Sequence, residues 1–153
     1  MSYAEALAWT YAAKDLVKFL IPKARPYAYR SENLSKDLLK EADESFPSGH
    51  TALAFCAATS FAVLALELDG DDPTTPWLVA GGYAVATAAG ALRVVSGEHF
   101  ISDVAAGALL GSAIGYVATA AHIRPAGREG ESLTIQAFPG AVGPTLSMRI
   151  PLR

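Results

Sequence analysis

Three short clusters in the sequence carry side chains able to handle an anion: Lys18 with Arg25, Ser48-Gly49-His50, and Arg93 with His99 and Asp103. Guanidinium forks and an ammonium suit the double charge and peripheral oxygens of a phosphoryl group. His99 and Asp103 are four residues apart. On a helix they share one face, so the carboxylate is expected to accept from one imidazole nitrogen and leave the other to attack phosphorus. His50 is expected to protonate the leaving oxygen and later to activate the water that releases a phosphohistidine. Lys18, Arg25 and Arg93 then stabilise charge on the equatorial oxygens of the transition state.

Each of these residues also has a plainer reading. A histidine in an apolar helix is usually structural, cations at helix ends answer the dipole, and Ser48 suits an N-cap. The plain readings are kept for Glu98 as a solvated turn residue, for Tyr27 and Tyr29 as cover for the helices, for Cys56 as a small core residue, and for His122 as lying away from the site.

Four apolar segments must position the clusters. Tyr3 to Leu20 mixes Leu7, Tyr11, Val17 and Leu20 with Glu5, Lys14, Asp15 and Lys18, an amphipathic helix that Pro22 ends. Lys23 to Ser45 is a long polar connection in which Leu34, Leu38 and Leu39 suggest one short helix, and connections of that length usually carry function. Alanine-rich helices follow over Thr51 to Leu66, Trp77 to Val95 and His99 to Ala121, separated by the acidic turn from Glu67 to Pro76 and by Gly97. The expected fold is all-α: a bundle of four principal helices with the site at one end. If successive helices run up and down, Lys18, Arg25, Ser48, His50, Arg93, His99 and Asp103 all fall at the same end, joined there by free N–H groups at helix starts.

Placed in order, the clusters read Lys18, six residues, Arg25-Pro26; Pro47-Ser48-Gly49-His50; and Arg93, five residues, His99, three residues, Asp103. This three-part pattern resembles the signature of the type 2 phosphatidic acid phosphatase superfamily, which also holds bacterial acid phosphatases and vanadium haloperoxidases. The resemblance spans Lys18 to Gly111. It implies that Lys18, Arg25, Ser48, Gly49 and Arg93 bind phosphate, that His50 is the general acid, His99 the nucleophile and Asp103 its orienting partner, and that no metal or other cofactor is needed. Leu92 departs from the pattern, since the family usually carries serine before the third-motif arginine.

The remaining features bound the setting. The chain has 153 residues, room for one domain over residues 1–125 and a tail over 126–153 in which Leu133–Phe138 and Leu146–Ile150 alternate like two short strands around the turn from Pro139 to Pro144. A net charge of -3 gives no basic footprint for nucleic acid, and one cysteine allows neither an internal disulfide nor a cysteine zinc site. Met1 to Thr10 lacks the features of a secretory signal, which implies either that this export route is not used or that the sequence is a fragment. Segments two to four, at about 16 to 23 residues, straddle the roughly 20 needed to cross a bilayer, so length leaves a membrane bundle and a soluble bundle both open.

The expected activity is therefore hydrolysis of a phosphate monoester or pyrophosphate, of a lipid where the apolar helices meet a membrane. The alternatives are a soluble broad-specificity acid phosphatase, a vanadium-dependent haloperoxidase and a non-enzymatic membrane protein. Counting Lys and Arg places the site in the cytoplasm, whereas the family resemblance implies an extracytoplasmic, periplasmic site and outweighs it, because catalysis accounts for several of those cations.

Overall fold

A computed structural model describes residues 2–29, 42–123, 132–136 and 147–151. The chain divides into two units, Met1–Ile123 and Arg124–Arg153. Among the described residues the first unit holds four α-helices: α1 (Ser2–Leu20), α2 (Gly49–Asp69), α3 (Thr75–Val95) and α4 (Ile101–Ala120), with a short 3-10 turn at Pro26–Tyr29. The short helix suggested by Leu34, Leu38 and Leu39 lies outside the described residues, as does the turn from Pro139 to Pro144. In the second unit Ser132–Gln136 pairs antiparallel with Ser147–Pro151, placing Leu133 opposite Ile150.

The central helix is α2, which packs on all three others and most extensively on α4. That contact is made by small residues. Gly107, Gly111 and Gly115 stand four apart on α4 and press against the backbone carbonyls of Ser48, Ala52 and Cys56, themselves four apart. A Cβ added at Gly107 would come within 2.5 Å of the Ser48 oxygen, one at Gly115 within 2.7 Å of the Cys56 oxygen, and one at Gly111 would overlap the Ala52 oxygen. Two helix backbones meet this closely only where side chains are missing on one of them.

Three helices, α2, α3 and α4, are long and apolar enough to cross a membrane. Their large side chains, including Leu68, Trp77, Val85 and Leu109, point outward, and the protein is a membrane protein built on these helices. The first helix has its amphipathic pattern turned over. Ala6, Thr10 and Lys14 form its buried stripe, while Trp9, Leu16, Phe19 and Leu20 are exposed, Phe19 at 83%. Periodicity showed two faces on this helix but not which one is inside. Lys14 and Lys18 turn toward the start of α2, where Lys14 lies so close that a Cβ on Gly49 would be 2.9 Å from its Cδ.

Candidate functional site

The turn between α3 and α4 sets the position of three charged groups. Gly97 adopts φ +73°, a left-handed conformation that side chains disfavour. This reverses the chain so that the Gly97 amide donates to the Val94 carbonyl, while the Glu98 and His99 amides both donate to the Arg93 carbonyl. It is the Schellman arrangement with glycine at C′. Its effect is to fold Glu98 and His99 back over Arg93. The Glu98 carboxylate then lies 2.7 Å from Arg93 Nη2 and 2.5 Å from Arg25 Nη1. Glu98, expected as a solvated turn residue, instead joins two of the cations.

The second support is a pair of extended segments. Residues 23–25 run alongside 42–45: the Lys23 amide donates to the Asp43 carbonyl, Arg25 to Ala42, and Ser45 to Lys23. This fixes Arg25, only 6% exposed, and brings Ser45 beneath the start of α4. Lys18, at the end of α1, pairs with Glu44 at 3.5 Å.

His99 is 2% exposed. Its Nδ1 lies 2.7 Å from the Ser45 carbonyl oxygen. A carbonyl can only accept, so Nδ1 carries the proton and Nε2 keeps its lone pair. Burial pushes the His99 pKa down to about 4; the Ser45 hydrogen bond and the Asp103 charge oppose this, while the Arg25 and Arg93 charges add to it. His99 is thus neutral at ordinary pH, with Nε2 unprotonated.

The carboxylate bond expected for His99 is replaced. The helix starts at Ile101, so His99 belongs to the turn before it, with Phe100 extended between them, and the four-residue spacing to Asp103 does not put the two on one helical face. Asp103 is the third residue of α4 and fully buried, and it accepts from the Phe100 amide at 2.9 Å, from Ser45 Oγ at 2.6 Å and from the Lys23 ammonium. Ser45 links it to His99: the Ser45 hydroxyl donates to Asp103 and the Ser45 carbonyl accepts from the imidazole. Asp103→Asn is expected to lower unfolding stability by about 3 kcal/mol, because one oxygen facing donors becomes a donor in a buried ionic network. Denaturant titration in detergent measures this, and a loss under about 1 kcal/mol would contradict the assignment.

At the start of α2, Ser48 occupies the N-cap position but makes no capping bond. Its hydroxyl pairs with Thr51 Oγ1 at 2.8 Å and its amide donates to the Asp103 carbonyl at 3.0 Å. Gly49 is buried beside Lys14, and His50 is exposed on the first turn of the helix. The charges of Arg93, Glu98, Arg25 and Lys18 all act on the His50 ring. The structure therefore brings Lys18, Arg25, Ser48, Gly49, His50, Arg93, His99 and Asp103 to one end of the bundle. Leu92 is 66% exposed on the outer surface and does not line this end. Tyr29 is also exposed and meets Phe100 edge-on, and Cys56 is fully buried. His122 lies 3.3 Å from Glu5, at the end of α4 remote from the cluster.

Sequence reasoning passed over Ser45, Lys23 and Glu44, and set Glu98 aside as a turn residue. The available signal for Ser45 was its place two residues before Pro47, on the approach to the second cluster. For Lys23 it was the spacing to Arg25, since residues two apart in an extended segment share a face.

Residues 1–125 match the family described as the PAP2 superfamily. Over 74 residues the chain is 43% identical to the lipid A 1-phosphatase of Porphyromonas gingivalis, a match covering 48% of this chain and 15% of that protein. Over 79 residues it is 40% identical to the bacitracin transport permease protein BcrC of Bacillus licheniformis, covering 52% of this chain and 34% of that protein. The matched stretches are thus about a third or less of these relatives' lengths. No solved structure matches the chain.

Proposed function

The chain belongs to the PAP2 superfamily, and from that premise we propose that it is a phosphatase that cleaves a lipid phosphate monoester or lipid pyrophosphate through a phosphohistidine at His99. The observation that carries the reading is the bond from His99 Nδ1–H to the Ser45 carbonyl, which leaves Nε2 as a neutral, oriented nucleophile within a cluster of cations. Nε2 attacks phosphorus and the bond to the leaving oxygen breaks, with His50 giving that oxygen a proton. His50, now neutral, takes a proton from water as the water attacks the phosphohistidine, and inorganic phosphate leaves. Arg25, Arg93 and Lys18, with the amides at the start of α2, hold the phosphoryl oxygens as their charge grows. Asp103 positions His99 by way of Ser45.

The lipid class is supported by the three apolar helices surrounding the site end and by the similarity to a lipid A 1-phosphatase. On this reading the site lies on the extracytoplasmic side of the membrane, as the family resemblance implies and against the Lys and Arg count. Phosphate release from a diacylglycerol phosphate and a polyprenyl pyrophosphate in mixed micelles, compared with p-nitrophenyl phosphate, tests the reading. Faster turnover of the aryl phosphate at equal concentration would favour a broad-specificity acid phosphatase instead.

Acidification supplies a further check. An ordinary histidine titrates near 6.5, but His99 resists protonation until about pH 4. The acid limb of kcat/KM assigned to the nucleophile is therefore expected near pH 4, with activity rising as pH rises through it. Between 6.5 and 4 the unfolded chain takes up a proton that the folded chain refuses, so His99 makes the fold less stable as pH falls through that window. A limb near 6.5 that persists after His50 is replaced would overturn the assignment.

A further inference from the structure

Resting on the phosphatase reading, we infer that Glu98 is an internal stand-in for phosphate, a carboxylate that occupies the guanidinium fork, yields to the substrate's phosphoryl group and returns to expel inorganic phosphate. One oxygen, Oε2, bridges Arg25 Nη1 at 2.5 Å and Arg93 Nη2 at 2.7 Å. Those are the two planar cations best suited to a phosphoryl oxygen pair. Glu98 is the residue before His99, so its carboxylate starts from the same turn as the nucleophile. It is also partly exposed and sits just beyond Gly97, so its side chain can swing out to water without disturbing a helix.

Electrostatics supplies the reason for such a residue. A pocket that gathers Lys18, Arg25 and Arg93 with the start of a helix attracts a phosphate monoester and its product alike, and a product that binds as tightly as the transition state stops turnover. An anion tethered beside the fork lowers affinity for both ground states. Lys18 shows a weaker version of the same pattern, with Glu44 at 3.5 Å. The step is an exchange of ion pairs: the arginines trade a carboxylate for phosphoryl oxygens and back, with no bond made or broken at Glu98.

The measurement is binding of inorganic phosphate to the full chain in detergent by isothermal titration, for the parent protein, Glu98→Gln and Glu98→Ala, together with phosphate inhibition of turnover. Both variants are expected to bind phosphate roughly tenfold more tightly, with a matching fall in the inhibition constant, a lower KM and a kcat that falls as release becomes slow. If Glu98 only braces the two arginines, both variants bind phosphate no better or more weakly than the parent, and the inference is overturned while the phosphatase reading stands. If none of the three binds phosphate or releases it from any substrate, the phosphatase reading fails and takes the inference with it. Having two variants covers the case in which one does not fold, as judged by its melting transition.

Discussion

Replacing His99 with alanine is expected to lower phosphate release by at least about 10⁴-fold, because the chain then lacks the atom that forms the covalent intermediate. The imidazole fills a buried site, so the variant needs a melting curve beside its rate. His99→Asn keeps most of the volume and serves as the second form. His50→Ala should behave differently according to the leaving group. The alkoxide oxygen that leaves a lipid phosphate monoester needs a proton, and turnover of that substrate should fall on the order of 10³-fold. The p-nitrophenolate leaves without one, so the first step with that substrate should be nearly spared and only release of the phosphohistidine slowed. Rapid-quench trapping of a covalent phosphate in His50→Ala, and its absence in both His99 variants, separates the two roles. Retained turnover by His99→Ala would remove the nucleophile from the mechanism.

The second large effect comes from packing. Gly111→Val puts a branched side chain where a single Cβ already overlaps the Ala52 carbonyl oxygen. Neither partner at this contact is a flexible side chain, so the helices themselves must separate. A destabilisation of roughly 3 kcal/mol or more is expected, at the upper end for overpacked cores. Activity should fall further than stability alone explains. The same ladder seats Gly107 on the Ser48 carbonyl, and the Ser48 amide is bonded to Asp103, so opening α2 from α4 pulls the second and third clusters apart. A displacement near 1 Å between reacting groups costs on the order of 10²-fold. Leu109→Val, on the outward face of the same helix, is the matched control. Equal stability of the two variants would contradict the close α2–α4 contact.

Most of the bundle was legible because long alanine-rich runs bounded by Pro47, the acidic turn and Gly97 leave few other outcomes. Convergence of the clusters followed from chain order and short connections. What could not be read came from two physical sources. One is sign: the pattern in α1 divides the helix into faces, but the bundle puts Lys14 inside and Phe19 outside, and periodicity is blind to that inversion. The other is the exact point where a helix begins. Starting α4 at His99 gives a histidine and an aspartate on one face, whereas starting it at Ile101 sends His99 to Ser45 and leaves Asp103 for Lys23 and the Phe100 amide. Ser45 and Lys23 are 22 residues apart in sequence and meet through backbone pairing that no local signal announces.

The Ser45 carbonyl gives this site an unusual mutational profile. The group that sets the tautomer of His99 belongs to the peptide linking Ser45 and Phe46, and every genetically encoded amino acid at position 45 supplies the same oxygen. A scan of side chains will therefore score position 45 by its hydroxyl alone, through the bond to Asp103, and will miss its larger contribution. Serine to alanine there should look mild beside histidine to alanine at 99, although the two positions form one device. Only a change in the backbone, such as an ester in place of the Ser45–Phe46 amide to weaken the carbonyl as an acceptor, reaches it. Tolerance of substitution at this position would thus record the redundancy of the main chain and would be silent about how much the chemistry depends on it.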